Sequence, residues 1–260
     1  MRKRGWIGFA VVSLLAVVMV GPFIYMVWRS PRDPSEARRA LTALPFARFF
    51  WNSALLAGCA TLGQVLTSAA AAYAFARLRF PGRDRVFLAF LSVLIVPAIV
   101  LIIPRYLMID AFGWVDSYAG LISTELVSVW GIFFLRQTFI TLPRDLEDAA
   151  RLDGAGEWTI FWRVILPLAQ PAVATLALLV FADQWKNFLW PLVVTRSTEM
   201  QVLEVGLARL HGLYYANGPY QMAAAVAATL PLLIVFLVAQ RYVIRGLPLT
   251  SWRSGRSNSN

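Results

Sequence analysis

The sequence contains one cysteine, one histidine and only two lysines among its 260 residues. The single cysteine, Cys59, can form neither an internal disulfide nor a cysteine-rich metal site. The single histidine, His211, excludes zinc motifs built on histidine pairs and argues against a hydrolase triad. Neither Lys3 nor Lys186 ends a Walker A phosphate loop, and the sequence has no G-x-S-x-G nucleophile elbow. We therefore expect a chain that holds no metal or cofactor and does not hydrolyse ATP by itself.

Charged residues are also scarce, and the two signs are unequally represented. Asp, Glu, Lys and Arg make up 15% of the chain, hydrophobic residues make up 59%, and the mean hydropathy is +0.63. An ordinary soluble domain has about 25% charged and about 45–50% apolar residues. The 24 Lys and Arg outnumber the 14 Asp and Glu, which gives a formal net charge of +10. In so apolar a chain, this excess indicates a lipid-embedded protein with basic cytoplasmic segments and no nucleic-acid partner.

Six apolar stretches approach the roughly 20 residues that a helix needs to cross the hydrocarbon core of a bilayer. None has the alternating pattern of an outer-membrane barrel, so we predict an all-α, polytopic membrane protein. The six predicted transmembrane helices cover about residues 6–28, 52–76, 86–109, 119–140, 171–194 and 221–241. They form one predicted domain over residues 1–247. The remaining segment, 248–260, is rich in Ser, Asn, Gly and Arg and is predicted to be a disordered cytoplasmic tail.

The positions of the basic residues predict the orientation of these spans. If the N-terminus lies in the cytoplasm, six spans return the C-terminus there, and 15 of the 24 Lys and Arg fall on the cytoplasmic side. Five arginines between Arg29 and Arg48 fall in the first outer loop, against the trend. The overall excess favours cytoplasmic N- and C-termini, because Lys and Arg are retained on that side of the membrane.

Residues 142–167 are too polar to span a membrane, and their pattern predicts two short helices joined by a turn at the membrane surface. Pro143 and Asp145 are typical of a helix start. Gly154 follows an aspartate at the predicted turn, where glycine adopts positive φ without strain. A second helix would have one apolar face, formed by Trp158, Phe161, Trp162 and Ile165.

This segment resembles the EAA loop of the inner-membrane permeases of binding-protein-dependent ABC importers. The resemblance rests on Glu147-Asp148-Ala149, on Gly154 and, after nine intervening residues, on V-I-L-P at 164–167. Asp148 and Val164 are mild departures from the family motif. The resemblance implies a coupling helix that docks on a separate ATPase subunit. That role carries over to Glu147, Asp148, Ala149, Ala150, Asp153, Gly154 and Ala155. The alternative is an amphipathic surface helix with no partner.

Four further segments resemble the carbohydrate uptake transporter-1 family, and within it the second permease of the maltose and glycerol-phosphate type. These segments are FFWNSAL at 49–55, AYAFARLR at 72–79, WKNFLWPL at 185–192 and QRYVIRGL at 240–247. Two features depart from the family: Lys186 stands where asparagine is frequent, and the tail after Gly246 lacks the usual ending.

The resemblance implies a type I ABC importer permease fold with six transmembrane helices, in a bacterial or archaeal cytoplasmic membrane. It also implies a non-catalytic subunit that forms the translocation pathway for a sugar or sugar derivative. The implied partners are a second homologous permease, an ABC ATPase dimer and an extracytoplasmic solute-binding protein.

Polar residues near the middle of the fifth predicted span are the candidates for contact with the solute. A charged residue at the bilayer centre costs about 2.5–3.5 kcal/mol on insertion scales, so such residues usually face a wet cavity or a partner. Asp183 and Lys186 are three residues apart and either neutralise each other or line the pathway. Aromatic residues accompany them, as expected of a site for sugar rings. The predicted pathway residues are Asp183, Trp185, Lys186, Asn187 and Phe188. Contact of Lys186 and Asn187 with the solute would suit a phosphorylated or acidic sugar.

Three other functions remain open from the sequence. An ion-coupled secondary transporter would use Asp183 and Lys186 as its ion relay and would need no ATPase. A membrane scaffold without transport activity would leave the EAA-like loop without a role. An ABC importer permease for a solute other than a sugar would differ only in the chemistry of its pathway.

Overall fold

The computed structural model describes residues 2–31, 33, 42, 45–213 and 218–245. The predicted tail at 248–260 and most of the arginine-bearing segment between 29 and 48 lie outside these residues. Within the described part of the chain every regular element is helical. The prediction of an all-α fold is therefore confirmed.

The α-helices of four or more residues are numbered here in chain order. They are α1 (Arg2–Arg29), α2 (Phe46–Arg77), α3 (Arg83–Ser92), α4 (Ile102–Ala111), α5 (Tyr118–Ile122), α6 (Val129–Thr141), α7 (Asp145–Leu152), α8 (Glu157–Ile160), α9 (Gln170–Trp185), α10 (Leu189–Val194), α11 (Leu203–Leu213) and α12 (Gly218–Arg245). Short 3₁₀ turns occur at Val93–Ile95, Ala98–Leu101, Ser123–Glu125 and Thr198–Met200. A π-helical turn, Phe161–Ile165, and a short helix, Leu166–Leu168, connect α8 to α9.

The long helix α2 lies at the centre of the bundle and packs along both α6 and α9. α9 also packs against α12, and α12 packs against α1. Ala57, Ala60 and Ala72 on α2 are fully buried. Such small side chains let helix backbones approach closely, which is how helices associate in lipid.

The third predicted span is not a continuous helix. The segments Arg83–Ile95 and Ala98–Ala111 are bent by 93° at the break between them. Pro97 lies in this break, and proline has no N–H to donate to the carbonyl four residues earlier. The fourth span, Tyr118–Thr141, is divided by the 3₁₀ turn Ser123–Glu125 between α5 and α6.

The fifth predicted span is interrupted as well, because α9 ends at Trp185 and α10 begins only at Leu189. Pro191 explains the interruption: its ring would clash with the carbonyl of Asn187 in a continuous helix. At the other end of α9, the segments Glu157–Leu168 and Gln170–Trp185 are bent by 79°.

Four helices in the described residues are long and apolar enough to cross a membrane, or up to six if each bent pair counts as one span. Much of their surface is apolar and exposed, including Met19 (75% exposed) and Ile95 (82% exposed). Exposed apolar surface of this extent is typical of a lipid-facing or subunit-facing surface.

Candidate functional site

Three helix interruptions meet at one cavity, which we call the central cavity. Its volume is about 490 Å³. The walls come from the segment after the break at Pro97, from the turn between α5 and α6, and from the break between α9 and α10. The lining residues are Ala98, Ile99, Ile102, Arg105, Glu125, Asp183, Gln184, Lys186, Asn187, Phe188, Leu189 and Trp190. Broken membrane helices often form solute sites, because the break frees polar backbone groups at membrane depth.

Four of the five predicted pathway residues line this cavity: Asp183, Lys186, Asn187 and Phe188. The fifth, Trp185, is absent from its lining. Its side chain is buried, its indole Nε1 donates a 3.0 Å hydrogen bond to the carbonyl of Ala228, and its ring stacks on Phe181. The reason is geometric: Trp185 is two residues after Asp183 on α9 and points to nearly the opposite side of the helix, so this ring packs into the bundle against α12.

Asp183 and Lys186 are both exposed, and in the described part of the chain no ion pair within 4.0 Å joins them. Both charged groups therefore remain available on the cavity wall. A third charged group, Glu204 of α11, is near enough to interact with Lys186. Burial raises the pKa of the Glu204 carboxyl, and the positive charge of Lys186 opposes that rise.

Sequence reasoning missed the residue that ties the cavity walls together, Glu125. Its carboxylate forms an ion pair with Arg105 and accepts a 2.9 Å hydrogen bond from Nε2 of Gln184. Its backbone carbonyl accepts a 2.8 Å hydrogen bond from Nε2 of Gln64 on α2. The amide oxygen of Gln184 in turn accepts a 3.1 Å hydrogen bond from Asn187. Through its side chain and its backbone carbonyl, Glu125 thus joins α2, the segment containing Arg105 and the end of α9.

A signal for Glu125 and Arg105 was present in the sequence. Glu125 lies inside the predicted span 119–140, and Arg105 lies inside the predicted span 86–109. Inserting a charged side chain into either span costs as much free energy as inserting Asp183 into its own span, so both positions could have been singled out.

Arg105 also determines which aromatic ring faces the cavity. Its guanidinium lies 4.2 Å from the centre of the Trp190 ring and covers that face. Trp190 is 3% exposed, and its Nε1 donates to the carbonyl of Gly120 at 3.3 Å. Phe188 is 38% exposed and has the most accessible aromatic face on the cavity wall.

The EAA-like loop forms a second candidate site. Its first helix is α7, and the turn after it contains Gly154 at φ +81°, as expected for that glycine. Of the predicted apolar face of the second helix, Phe161 and Ile165 are buried, whereas Trp158 and Trp162 remain 69% and 43% exposed.

A buried ion pair connects this loop to the central helix. Nε of Arg77, the last residue of α2, lies 2.9 Å from Oε1 of Glu147, and both side chains are 2% exposed. Nη2 of Arg77 also donates a 2.8 Å hydrogen bond to the carbonyl of Leu142. Glu147 therefore faces the bundle and not the solvent.

A second group of contacts runs through Arg151. Its guanidinium donates to Asp148 at 2.9 Å and to Glu157 at 3.0 Å, and it lies 3.4 Å from Glu147. Glu157 also accepts a 2.5 Å hydrogen bond from the hydroxyl of Tyr73 on α2. The hydrogen bond with Glu157 raises the pKa of Arg151 above its usual range, although partial burial opposes the rise. These contacts hold α7 and α8 against the end of α2.

Of the remaining motif positions, four are exposed, and the two alanines pack against the buried core of the bundle. Asp148, Ala149, Asp153 and Gly154 are exposed, and Ala150 and Ala155 are half-buried. Two apolar side chains next to them are strongly exposed, Leu152 at 90% and Trp158 at 69%. A polar loop with exposed large apolar groups is typical of a protein-docking surface.

Comparison with known proteins gives consistent matches. The family model described as "Binding-protein-dependent transport system inner membrane component" matches residues 64–247. The chain is 38% identical over 202 residues to the arabinooligosaccharides transport system permease protein AraQ of Bacillus subtilis, over 78% of this chain and 72% of that protein. It is 35% identical over 202 residues to the sn-glycerol-3-phosphate transport system permease protein UgpE of Brucella abortus, over 77% of this chain and 72% of that protein.

Among solved structures, a bacterial ABC transporter involved in the import of the acidic polysaccharide alginate has the same fold. One chain of that transporter superposes with a TM-score of 0.81, at 24% sequence identity, over 93% of this chain and 96% of its own length.

Proposed function

Because the chain belongs to the family of binding-protein-dependent transport system inner membrane components, we propose that it is the permease subunit of an ATP-driven importer for a sugar or sugar derivative. The observation that carries the proposal is the buried Arg77–Glu147 pair, which joins an exposed docking loop to the central helix of a membrane bundle. The relatives named for arabinooligosaccharide and sn-glycerol-3-phosphate transport support a sugar or sugar derivative as the solute.

In this proposal the chain is non-catalytic and works with three kinds of partner. An ABC ATPase dimer binds the loop around Asp148, Ala149, Asp153 and Gly154, with Leu152 and Trp158 as apolar anchors. A second, homologous permease covers part of the exposed apolar helix surface. An extracytoplasmic solute-binding protein delivers the solute, in agreement with the family description.

The proposed topology has six spans with both termini in the cytoplasm. Each bent pair then counts as one crossing, which agrees with the upper number of spans that length and composition allow. The EAA-like loop lies on the cytoplasmic side, where ATP is available. The arginine-rich turn between α2 and α3 lies on the same side, as the distribution of basic residues favours.

The solute pathway in this proposal passes the central cavity. Phe188 offers an aromatic face to the apolar face of a sugar ring, and Asp183, Lys186 and Asn187 offer acceptors and donors to its hydroxyl groups. Trp185 supports the wall from behind through its contact with Ala228.

The proposed mechanism converts movement of the loop into alternating access. Closure of the ATPase dimer displaces the loop. The displacement reaches α2 through the Arg77–Glu147 pair and through the Tyr73–Glu157 hydrogen bond. Because α2 packs along α6 and α9, its movement carries the helices that form the cavity wall.

Purification from gently solubilised membranes tests this function. We expect an ATPase and a second permease to co-elute with the full-length chain, and Leu152→Asp to remove the ATPase. Phe112→Asp is a matched control, because Phe112 is a 60% exposed apolar residue beside the opposite end of the Tyr118–Thr141 span. If an ion gradient drove uptake without any ATPase, the proposal would be wrong. The protein would then be a secondary transporter that uses Asp183 and Lys186.

A further inference from the structure

A second large cavity lies at the turn between α2 and α3, outside the central cavity; we call it the arginine cavity. Its volume is about 650 Å³. The lining residues are Arg79, Phe80, Gly82, Arg83, Asp84 and Arg85. Arg79 and Phe80 also line the neighbouring cavity beside Glu147 and Arg151, so the arginine cavity is on the same side of the membrane as the EAA-like loop.

The arginine cavity carries uncompensated positive charge. Its one carboxylate, Asp84, lies 3.0 Å from Nε of Arg83 and 3.9 Å from Nη2 of Arg136. Arg83 and Arg136 hold the pKa of Asp84 below its usual range, although desolvation opposes them. Arg79 and Arg85 form no ion pair with any described residue, and both are exposed. Two guanidinium groups are thus free to bind an anion.

Phe80, which lines the cavity, belongs to an aromatic cluster that lies behind it. The ring of Phe75 lies 6.1 Å from Phe80, 5.4 Å from Phe87 and 5.8 Å from Phe90 between ring centres. Arg136 closes the cluster from α6, with its guanidinium 4.1 Å from the centre of the Phe87 ring. Phe75 and Phe87 are each 6% exposed. The cluster therefore packs behind Phe80 at the cavity wall.

An apolar, exposed helix face continues from the charged end of the cavity. Val86 and Phe90, one helical turn apart on α3, are 43% and 36% exposed. α3 begins one of the bent pairs that qualify as a membrane span, so this face meets the acyl chains of the bilayer. A ligand that fits both parts has an anionic group next to Arg79 and Arg85 and hydrocarbon chains along α3.

We propose that the arginine cavity binds the phosphodiester headgroup of an anionic phospholipid from the leaflet on the side of the EAA-like loop. Arg79 and Arg85 hold the phosphate, and the acyl chains follow the exposed face of α3. Basic pockets at the ends of membrane helices bind anionic headgroups in this way. A free phosphate ion is also an anion but would make no contact with the apolar face.

Lipid retention by the full-length chain, purified with its co-eluting subunits, tests the proposal. The probe is phosphatidylglycerol mixed with an equal amount of phosphatidylcholine in nanodiscs, and bound lipid is counted by native mass spectrometry. We expect Arg85→Gln to lower the preference for phosphatidylglycerol about fivefold, and Arg79→Gln/Arg85→Gln to lower it further, as expected for about 1 kcal/mol per basic side chain at an anionic surface. Arg163→Gln is the matched control, since Arg163 is an exposed arginine of the EAA-like loop, on the same side of the membrane but outside this cavity.

Three results would overturn the proposal. An unchanged lipid preference in the double variant would show that the cavity does not select anionic lipid. Full displacement of the lipid by inorganic phosphate would identify a soluble anion as the ligand. Loss of the ATPase subunit with unchanged lipid retention would identify the cavity as a protein contact.

Discussion

Arg77 and Glu147 form an ion pair across 70 residues of sequence, with Nε and Oε1 2.9 Å apart and with both side chains 2% exposed. The first residue ends the central helix, and the second lies on α7 in the EAA-like loop. Neither charge can be solvated if its partner is removed, because both lie in the protein interior. This pair therefore joins the EAA-like loop to the end of α2.

Removing one partner of this pair is expected to be strongly destabilising. Glu147→Ala leaves the Arg77 guanidinium buried without its counter-charge, which costs roughly 3–5 kcal/mol. Thermal unfolding of the purified chain in detergent measures the loss. Asp148→Ala is the control, because Asp148 is exposed and pairs only at the surface with Arg151. The double variant Arg77→Met/Glu147→Leu should recover most of the stability but not the coupling of ATP hydrolysis to uptake. Equal stability of Glu147→Ala and Asp148→Ala would contradict the buried pair.

The Arg105–Glu125 pair is expected to govern the movement of the cavity walls. Glu125→Gln keeps an acceptor for Gln184 but removes the ion pair, so the three interrupted helices lose their common anchor. We expect the maximal uptake rate to fall by roughly fivefold or more, and the charge-reversed variant Arg105→Glu/Glu125→Arg to recover part of it, since directly coupled residues interact by about 0.5–3 kcal/mol. Radiolabelled sugar uptake in proteoliposomes measures both. An additive loss in the double variant would show that the two side chains act separately.

The exposed polar and aromatic groups of the cavity are expected to contact the solute. Phe188→Ala and Lys186→Ala should lower uptake at low sugar concentration, because they remove the aromatic face and a hydrogen-bond donor. Phe112→Ala is the control for Phe188, as an exposed aromatic residue outside the cavity. Trp185→Phe should reduce stability more than uptake, since its indole bonds to Ala228. Unchanged uptake in the Lys186→Ala variant would show that Lys186 does not contact the solute.

Two glycines in the membrane helices should respond in opposite ways to alanine. A Cβ on Gly120 would overlap the backbone carbonyl of Trp114, which cannot move aside as a flexible side chain would. We expect Gly120→Ala to destabilise the protein by about 1–3 kcal/mol, the usual cost of overpacking. A Cβ on Gly58 of α2 meets nothing within 4 Å. Gly58→Ala should therefore stabilise the protein by roughly 0.5–1 kcal/mol through helix propensity. Both expectations are tested by measuring the thermal unfolding of each variant and of the parent chain under the same conditions.

Much of the architecture follows from local sequence properties. Apolar runs predict membrane helices because hydropathy is a sum over neighbouring residues, and the EAA-like loop is recognisable because its residues are close together in the chain. The interruption of the fifth predicted span could also have been predicted from the sequence, because Pro191 is incompatible with a continuous helix through Asn187.

The partners of the polar residues could not be derived in the same way. The sequence by itself determined the helical membrane character of the chain, the loop and the cluster from Asp183 to Phe188. Only the tertiary structure decided that Trp185 packs against Ala228 and that Glu125 joins Arg105 to Gln184. It also decided that Glu147 is buried against Arg77. Hydropathy and periodicity depend on residues a few positions apart, whereas these contacts depend on how helices distant in sequence pack together.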